Sequence, residues 1–373
     1  MVRKIKGNLL DAKAEALVNT VNTVGIMGRG IALQFKKAMP AEYFSAYEKA
    51  CRSGELQIGR VQVFDAGGLY GARYVINFPT KKHWKGNSKI EWIHSGLASL
   101  VDTVTRLGIR SIALPPLGCG LGGLDWNEVY RAINTSFASL PDVDVMAYEP
   151  AGVPDPTSMK DRTSRPKMTA GRAVVLGLMD RYLVPGFTYL LSLLEAQKLV
   201  YFQMEAGEQL RQMEFARGEF GPYADTLRHV LEKMDRHFIE GYGDGQNKPG
   251  TSIRLVPQAA AEARQFLSSP DHKESLDRLD RVMKLIEGFE TPYGMELLSS
   301  VHWVATHENP PARNAEEAVT RVHAWNERKA RVLRGDHIRL AWDTLVARGW
   351  INSPVPGQGE VNGDIGRGQS PRA

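Results

Sequence analysis

The sequence predicts an α/β domain built on a largely parallel central sheet, followed by a mainly helical second domain. Three observations carry this prediction. The first 150 residues alternate short β-branched runs with stretches whose apolar residues recur at helical spacing, the pattern of a sheet covered by helices. Residues 150–171, PAGVPDPTSMKDRTSRPKMTAG, hold four prolines and no periodicity, which marks a linker. Beyond them helical patterns continue and convincing strands are lacking.

Taken in order, strands are expected at ALVNTV (16–21), RVQVFDA (60–66), RYVINF (73–78), SIALP (111–115) and VDVMAY (143–148). Helices are expected over 28–39, 40–54, 88–108 and 125–140, with Pro40 and Asp125 suited to helix starts. In the second half the helical stretches are 187–207, 224–242, 274–289, 315–332 and 337–351. The Pro/Gly-rich end, SPVPGQGEVNGDIGRGQSPRA, reads as disordered. The organisation is therefore a first domain over 1–152, a linker over 153–171, a helical domain over 172–351 and a tail over 352–373.

Composition limits the class of protein. With 43% hydrophobic and 24% charged residues the chain can bury ordinary cores. Cys51 and Cys119 are the only cysteines, which speaks against a disulfide framework and for a reducing compartment. The first residues carry no apolar signal-peptide core and no run approaches a membrane span, so a cytoplasmic protein without a membrane partner is expected. Net charge is +5, and it is unevenly spread: 18 Lys/Arg face 13 Asp/Glu in residues 1–150, against 24 and 26 in 181–373. The first domain can meet a polyanion while the second need not.

Two glycine loops suggest the chemistry. VNTVNTVGIMGRGIAL (18–33) runs from a strand through Gly25, Gly28 and Gly30 into a helix, a junction where backbone N–H groups and a helix N-terminus favour an anion. Its plain alternative is a tight turn with glycines for packing. IALPPLGCGLGGLDWNEV (112–129) again links strand to helix, and Gly118, Gly120 and Gly123 match the dinucleotide spacing. That loop closes the domain where the fingerprint opens one, and Asp142 and Asp144 precede the next strand. Two such loops suit a diphosphate gripped from both sides, hence an ADP-containing ligand.

FPTKKHWKGNSK (78–89) packs four lysines, His83 and Trp84 into twelve residues. It is either a solvated loop or a site in which Thr80 and Lys81 follow a strand end toward the phosphates. Trp84 with Lys82, Lys85 and Lys89 could meet a DNA strand by stacking and phosphate contacts. Cys119 has no histidine placed to activate it, so its role is backbone geometry. His302 and His307 lack the spacing of a helical zinc motif, and no metal or other cofactor is expected.

GNLLDAKAEALVNTVNTVGIMGRGIALQF together with LPPLGCGLGGLDW resembles a macrodomain, the three-layer α/β/α fold with a mixed, largely parallel sheet that binds ADP-ribose. Within that fold, VNTVNTVGIMGRGIALQFK and NFPTKKHWKGNSK resemble the DarG antitoxins, partners of DarT toxins that ADP-ribosylate thymidine in DNA. The resemblance implies that Asn22 bonds the distal ribose and that Lys81, in the PTK motif, is the catalytic lysine. It implies a first loop of Gly28, Gly30 and Ile31, with Asn19 and Thr80 also at the ligand. It implies a second loop of Pro116, Leu117, Gly118, Cys119, Gly120 and Leu121 around the diphosphate. Asn8 and Leu9 would meet adenine, with Tyr148 as its neighbour. Many macrodomains carry Asp where this chain has Asn8. The DarG antitoxins share a macrodomain branch with the terminal ADP-ribose glycohydrolase. This glycohydrolase relative carries an acid in the second loop where this chain has Gly122, so the resemblance implies that a lysine–aspartate pair is not available here.

The second domain resembles, around GEFGPYADTLRHVL, the module that follows the macrodomain in DarG antitoxins, which implies a toxin-binding role. The expected function is removal of ADP-ribose from thymidine bases of single-stranded DNA by a DNA ADP-ribosyl glycohydrolase that also binds a DarT-type toxin. Two alternatives remain open: a deacylase of ADP-ribosyl-glutamate or O-acetyl-ADP-ribose, and a non-catalytic ADP-ribose-binding module.

Overall fold

A computed structural model describes residues 1–352 apart from 69–70, 151, 153–158, 184–189 and 246. The expected tail lies almost wholly outside the described residues. The chain forms two compact units, one of residues 1–196 with 225–273, the other of 197–224 with the described residues from 274 onward.

A six-stranded sheet forms the centre of the first unit. Its strands are β1 (Val2–Ile5), β2 (Ala16–Asn22), β3 (Gln62–Asp65), β4 (Tyr74–Lys81), β5 (Ser111–Leu114) and β6 (Asp144–Tyr148), in the order β1-β6-β5-β2-β4-β3. Only β3 runs antiparallel, against β4, so the sheet is mixed and largely parallel. Central β2 and β4 are buried along nearly their whole length, as parallel strands covered on both faces must be, and edge β3 stays partly exposed. The sequence pattern missed β1, VRKI, whose adjacent Arg3 and Lys4 leave no period-two alternation to reveal its pairing with β6.

Helices α1 (Gly30–Ala38) and α2 (Ala41–Ser53) pack on one face of the sheet around Phe35, Tyr43 and Tyr47. Helices α3 (Ile90–Leu107) and α4 (Trp126–Phe137) cover the other around Leu97, Leu100 and Ile133. Asp125 caps α4 by accepting the Glu128 N–H at 3.0 Å, as its position in the sequence suggests. Gly96 on α3 allows a close approach to β4: a Cβ there would lie 2.3 Å from the Phe78 ring.

Beyond the sheet the structure departs from the sequence reading. Residues 159–169 have no regular structure, yet they are fastened down: Lys160 pairs with Asp11 at 2.8 Å and the Arg162 N–H donates to the Lys37 carbonyl at 2.8 Å. Proline content removed periodicity without removing contacts. The compact units therefore do not divide at this stretch. After α5 (Ala170–Tyr182), short strands that the sequence did not suggest appear: β7 (Leu191–Ser192), β8 (Ala216–Gly218), β9 (Gly221–Tyr223), β10 (Ile239–Glu240) and β11 (Ser252–Leu255). They are too short to show a period-two pattern. Helices α6 (Leu193–Glu205), α7 (Asp225–Met234) and α8 (Pro257–Leu267) lie among them. The second unit then adds α9 (Lys273–Ile286), α10 (Pro292–Thr306), α11 (Ala315–Trp325), α12 (Glu327–Val332) and α13 (Gly335–Ala347). The expected helix over 315–332 is broken at Asn326, whose side chain accepts the Lys329 N–H at 2.8 Å and starts α12.

Candidate active site

The carboxyl ends of β2, β4 and β5 open into a cavity of about 1310 Å³. In a parallel α/β sheet, this end collects the strand-to-helix loops and therefore the ligands. Both glycine loops reach it: Gly28, Gly30 and Ile31 of the first, and Pro116, Gly118, Gly120 and Leu121 of the second. Asn8, Leu9, Thr80 and Tyr148 also line it.

Asn22 and Lys81 stand side by side. They are register partners across β2 and β4, and the Thr23 N–H donates to the Lys81 carbonyl at 3.1 Å. The register shifts between Val21 and Asn22, an irregularity that re-aims the strand ends where they meet the cavity. The Lys81 ammonium donates to the Leu121 carbonyl, so the amine is tied to the second loop. Partial burial lowers its proton affinity below that of an ordinary lysine.

Asn22 spends its side chain on the first loop. Its Oδ1 accepts the Val24 N–H at 3.0 Å and the Tyr47 hydroxyl at 3.2 Å, and its amide donates to the Ile26 carbonyl at 2.6 Å. Asn8 likewise accepts the Leu10 N–H at 3.1 Å through Oδ1, and its remaining amide hydrogens are the donors it can offer a ligand.

Several expected site residues are not on the cavity wall. Asn19 is fully buried: its amide donates to the Tyr43 hydroxyl at 2.7 Å, which donates to Asn77 Oδ1 at 2.6 Å. The alternation of β2 turns it into the layer beneath α2. Leu117 is fully buried in the core under α3 and α4, and Cys119 packs against the same core. Burial, with Asp125 nearby, pushes the Cys119 thiol up to about 12, which removes it as a nucleophile. In the basic loop Trp84 and Lys85 line the cavity, whereas the ammonium groups of Lys82 and Lys89 lie 5.8 and 5.6 Å from the centre of the Trp92 ring.

The structure also explains Gly122. A Cβ there would lie 2.3 Å from both the Gly118 carbonyl oxygen and Ser88 Oγ, so no side chain fits. Among the residues sequence reasoning missed, Arg29 and Gln34 line the cavity from α1 and its N-cap, and Arg228 and His229 line it from α7. Gln34 lies four residues after Gly30, one helical turn on, a signal that the sequence did hold. The α7 residues carried no such signal.

In the second unit Glu205, His302 and His307, which spacing alone did not join, bring their ligating atoms within 4.8 Å of one another. His302 Nδ1 and the Tyr201 hydroxyl share a 2.7 Å hydrogen bond, and burial lowers the ring to about 4, so it is neutral at physiological pH.

The Macro domain family model matches residues 18–133. A DNA ADP-ribosyl glycohydrolase of Thermus aquaticus is 47% identical over 350 residues, covering 94% of each chain. A solved structure, the macrodomain of Mycobacterium tuberculosis DarG, is 52% identical and covers 40% of this chain and 99% of its own, with a TM-score of 0.40. A DNA ADP-ribosyl transferase–DNA ADP-ribosyl glycohydrolase fusion protein of Thermosipho africanus is 36% identical over 140 residues, covering 34% of this chain and 36% of the fusion.

Proposed function

We infer the function from one premise: the chain belongs to the family of DNA ADP-ribosyl glycohydrolases. On this reading it removes ADP-ribose from thymidine bases of single-stranded DNA. The observation that carries the reading is the pairing of Lys81 with Asn22 at one end of a cavity walled by two glycine loops. The loops offer backbone N–H groups and the α1 N-terminus to a diphosphate. Asn22 shapes the first loop beside the distal ribose, and Lys81 reaches its anomeric carbon. Burial lowers the pKa of this amine. In its neutral form it can attack that carbon as the bond to the base breaks. In its protonated form, a stronger acid than an ordinary lysine, it can instead donate a proton to the leaving base. With Gly122 barred from carrying an acid, the lysine acts without a second-loop carboxylate. Trp84 and Lys85 at the wall favour a nucleic-acid leaving group over an acyl ester.

The test is release of ADP-ribose from a modified single-stranded oligonucleotide, compared with an ADP-ribosyl-glutamate peptide. Lys81→Ala keeps the loops, so ADP-ribose binding should stay near normal. Release from DNA should fall a hundredfold or more, on the order of 3 kcal/mol of transition-state stabilisation. Full turnover by Lys81→Ala would refute the lysine mechanism, and preference for the peptide would favour the deacylase.

The second half, 172–351, is read as the part that binds a DarT-type ADP-ribosyltransferase toxin. A relative that joins a transferase and a glycohydrolase in a single chain supports the partnership, and the resemblance around GEFGPYADTLRHVL supports its assignment to this half. No helix among the described residues is long and apolar enough to cross a membrane, which agrees with a cytoplasmic site of action. Co-purification of the full chain with an inactive toxin tests the partnership; failure to form a complex at micromolar concentrations would refute it.

A further inference from the structure

The macrodomain match ends at residue 133, yet part of the cavity wall is built a hundred residues later. Residues 235–245 grip the N-terminal half of the site through four contacts. Lys37, on α1, pairs with Asp235 at 2.9 Å, and their side chains are only 6% and 1% exposed. The same ammonium donates to the Gly243 carbonyl at 3.1 Å. The Gly30 N–H, first of α1, donates to the Asp244 carbonyl at 2.8 Å. Gly245 sits so close that a Cβ would lie 2.9 Å from the Gly28 carbonyl oxygen.

These contacts bear on the first glycine loop itself. The leading N–H groups of a helix lack intrahelical acceptors, and Arg29 provides no side-chain cap. Asp244 satisfies the first of the α1 amides and so fixes the direction of the helix. The following amides, of Ile31 and Ala32, belong to residues on the cavity wall. Asp235 is itself held, accepting the Tyr242 and Gly243 N–H groups at 3.2 Å each. One residue before Asp235 ends α7, whose first turns carry Arg228 and His229 to the cavity. Arg228 is oriented by Asp225, with Nε to Oδ1 at 3.2 Å. The anchor and the wall are thus one continuous segment.

We propose that residues 225–245 are a built-in part of the ADP-ribose site, with Asp235 as a positioning residue for the first loop and Arg228 as a ligand-contacting residue. The inference rests on the cavity being the ADP-ribose site. Chemically, the guanidinium of Arg228 can stack on a base or donate to a phosphate, and a nucleoside diphosphate offers both. Its planar fork, more than its charge, is what such a contact uses.

The experiment uses the full chain and measures ADP-ribose affinity by calorimetry, with melting temperature and steady-state release followed alongside. Arg228→Ala should weaken ADP-ribose binding about five- to tenfold, and Arg228→Lys should recover little of it. Asp235→Asn should weaken it about tenfold or more. It should raise KM but leave kcat within about threefold, because Lys81 and Asn22 stand on other elements. A purely structural Asp235 would lower the melting temperature without moving affinity in the folded protein. If Asp235→Asn does not fold, Gly245→Val, which pushes on the Gly28 carbonyl, replaces it and should likewise weaken binding. Affinities within twofold of wild type for Arg228→Ala and a folded anchor variant would overturn the proposal. Wild-type binding and release from modified DNA, measured in parallel, test the functional reading separately.

Discussion

Restoring an acid to the second loop is the sharpest test of how this site works. Gly122→Asp reproduces the carboxylate of the glycohydrolase relative, and a purely chemical argument expects it to help Lys81. The geometry argues the reverse. The new Cβ would sit 2.3 Å from the Gly118 carbonyl oxygen and 2.3 Å from Ser88 Oγ, where ordinary contact begins at 3.4 Å. The Ser88 hydroxyl can rotate away. The Gly118 carbonyl cannot, because it already accepts the Leu124 N–H at 3.1 Å, and Ser88 is tied to the Gly122 carbonyl at 3.0 Å. The loop must therefore open by about 1 Å. Overpacking of this kind costs about 1–3 kcal/mol, and displacing binding groups by about 1 Å costs on the order of a hundredfold in function. Calorimetric titration with ADP-ribose should show a loss of about that size in a variant whose circular dichroism remains native. Gly122→Ala should lose nearly as much, since the first carbon does the damage. A Gly122→Asp protein that binds normally and releases ADP-ribose faster would refute the steric reasoning. Tolerance of Ala with loss in Asp would shift the cause from shape to charge.

Gly120 is the contrasting case: it lines the cavity and an added Cβ meets nothing within 4 Å. Gly120→Glu should fold normally and abolish ADP-ribose binding by setting a carboxylate against the diphosphate, and unchanged affinity by calorimetry would remove this loop from the site. Gly96→Ala should destabilise the first unit by about 2 kcal/mol, because its Cβ would meet the fully buried Phe78 ring; a denaturant midpoint equal to wild type would contradict that. Lys198 is completely buried, and burial with Lys329 nearby lowers its amine to about 7 while it donates to the Pro222 carbonyl at 2.6 Å. The unfolded chain then holds the proton between about 7 and the ordinary 10.5 while the folded chain does not, so folding stability should rise across that window. The slope is at most about 1.4 kcal/mol per pH unit. Lys198→Met should remove this slope, and a wild-type minus variant difference that stays flat from pH 7 to 10 would show that the buried amine keeps its proton.

The first half of the fold was legible because its signals are local. Strands β2 and β4 are buried on both faces, so ALVNTV and RYVINF read as β-branched, largely apolar runs without strict alternation, and Asp125 announces α4 within four residues of itself. The two glycine loops and Lys81 were legible for the same reason: each is a junction chemistry written in consecutive residues. What the sequence did not show was whatever needed a direction or a distant partner. Asn19 and Asn22 look alike in VNTVN, yet strand alternation and the irregularity after Val21 bury one beside Tyr43 and bring the other to the cavity. Lys82 and Lys89 look like Lys81, and only the turn of the loop sends their ammonium groups toward Trp92. The sequence by itself determined the α/β pattern and the strand-to-helix junctions on which the glycine loops and Lys81 lie, since periods of two and 3.6 and the freedom of glycine act within a few residues. Tertiary structure alone decided that Gly122 has no room for a side chain, that Asp235 meets Lys37 and that α7 reaches the cavity. Those outcomes depend on excluded volume and charge pairing between segments far apart in the chain, for which no local pattern exists.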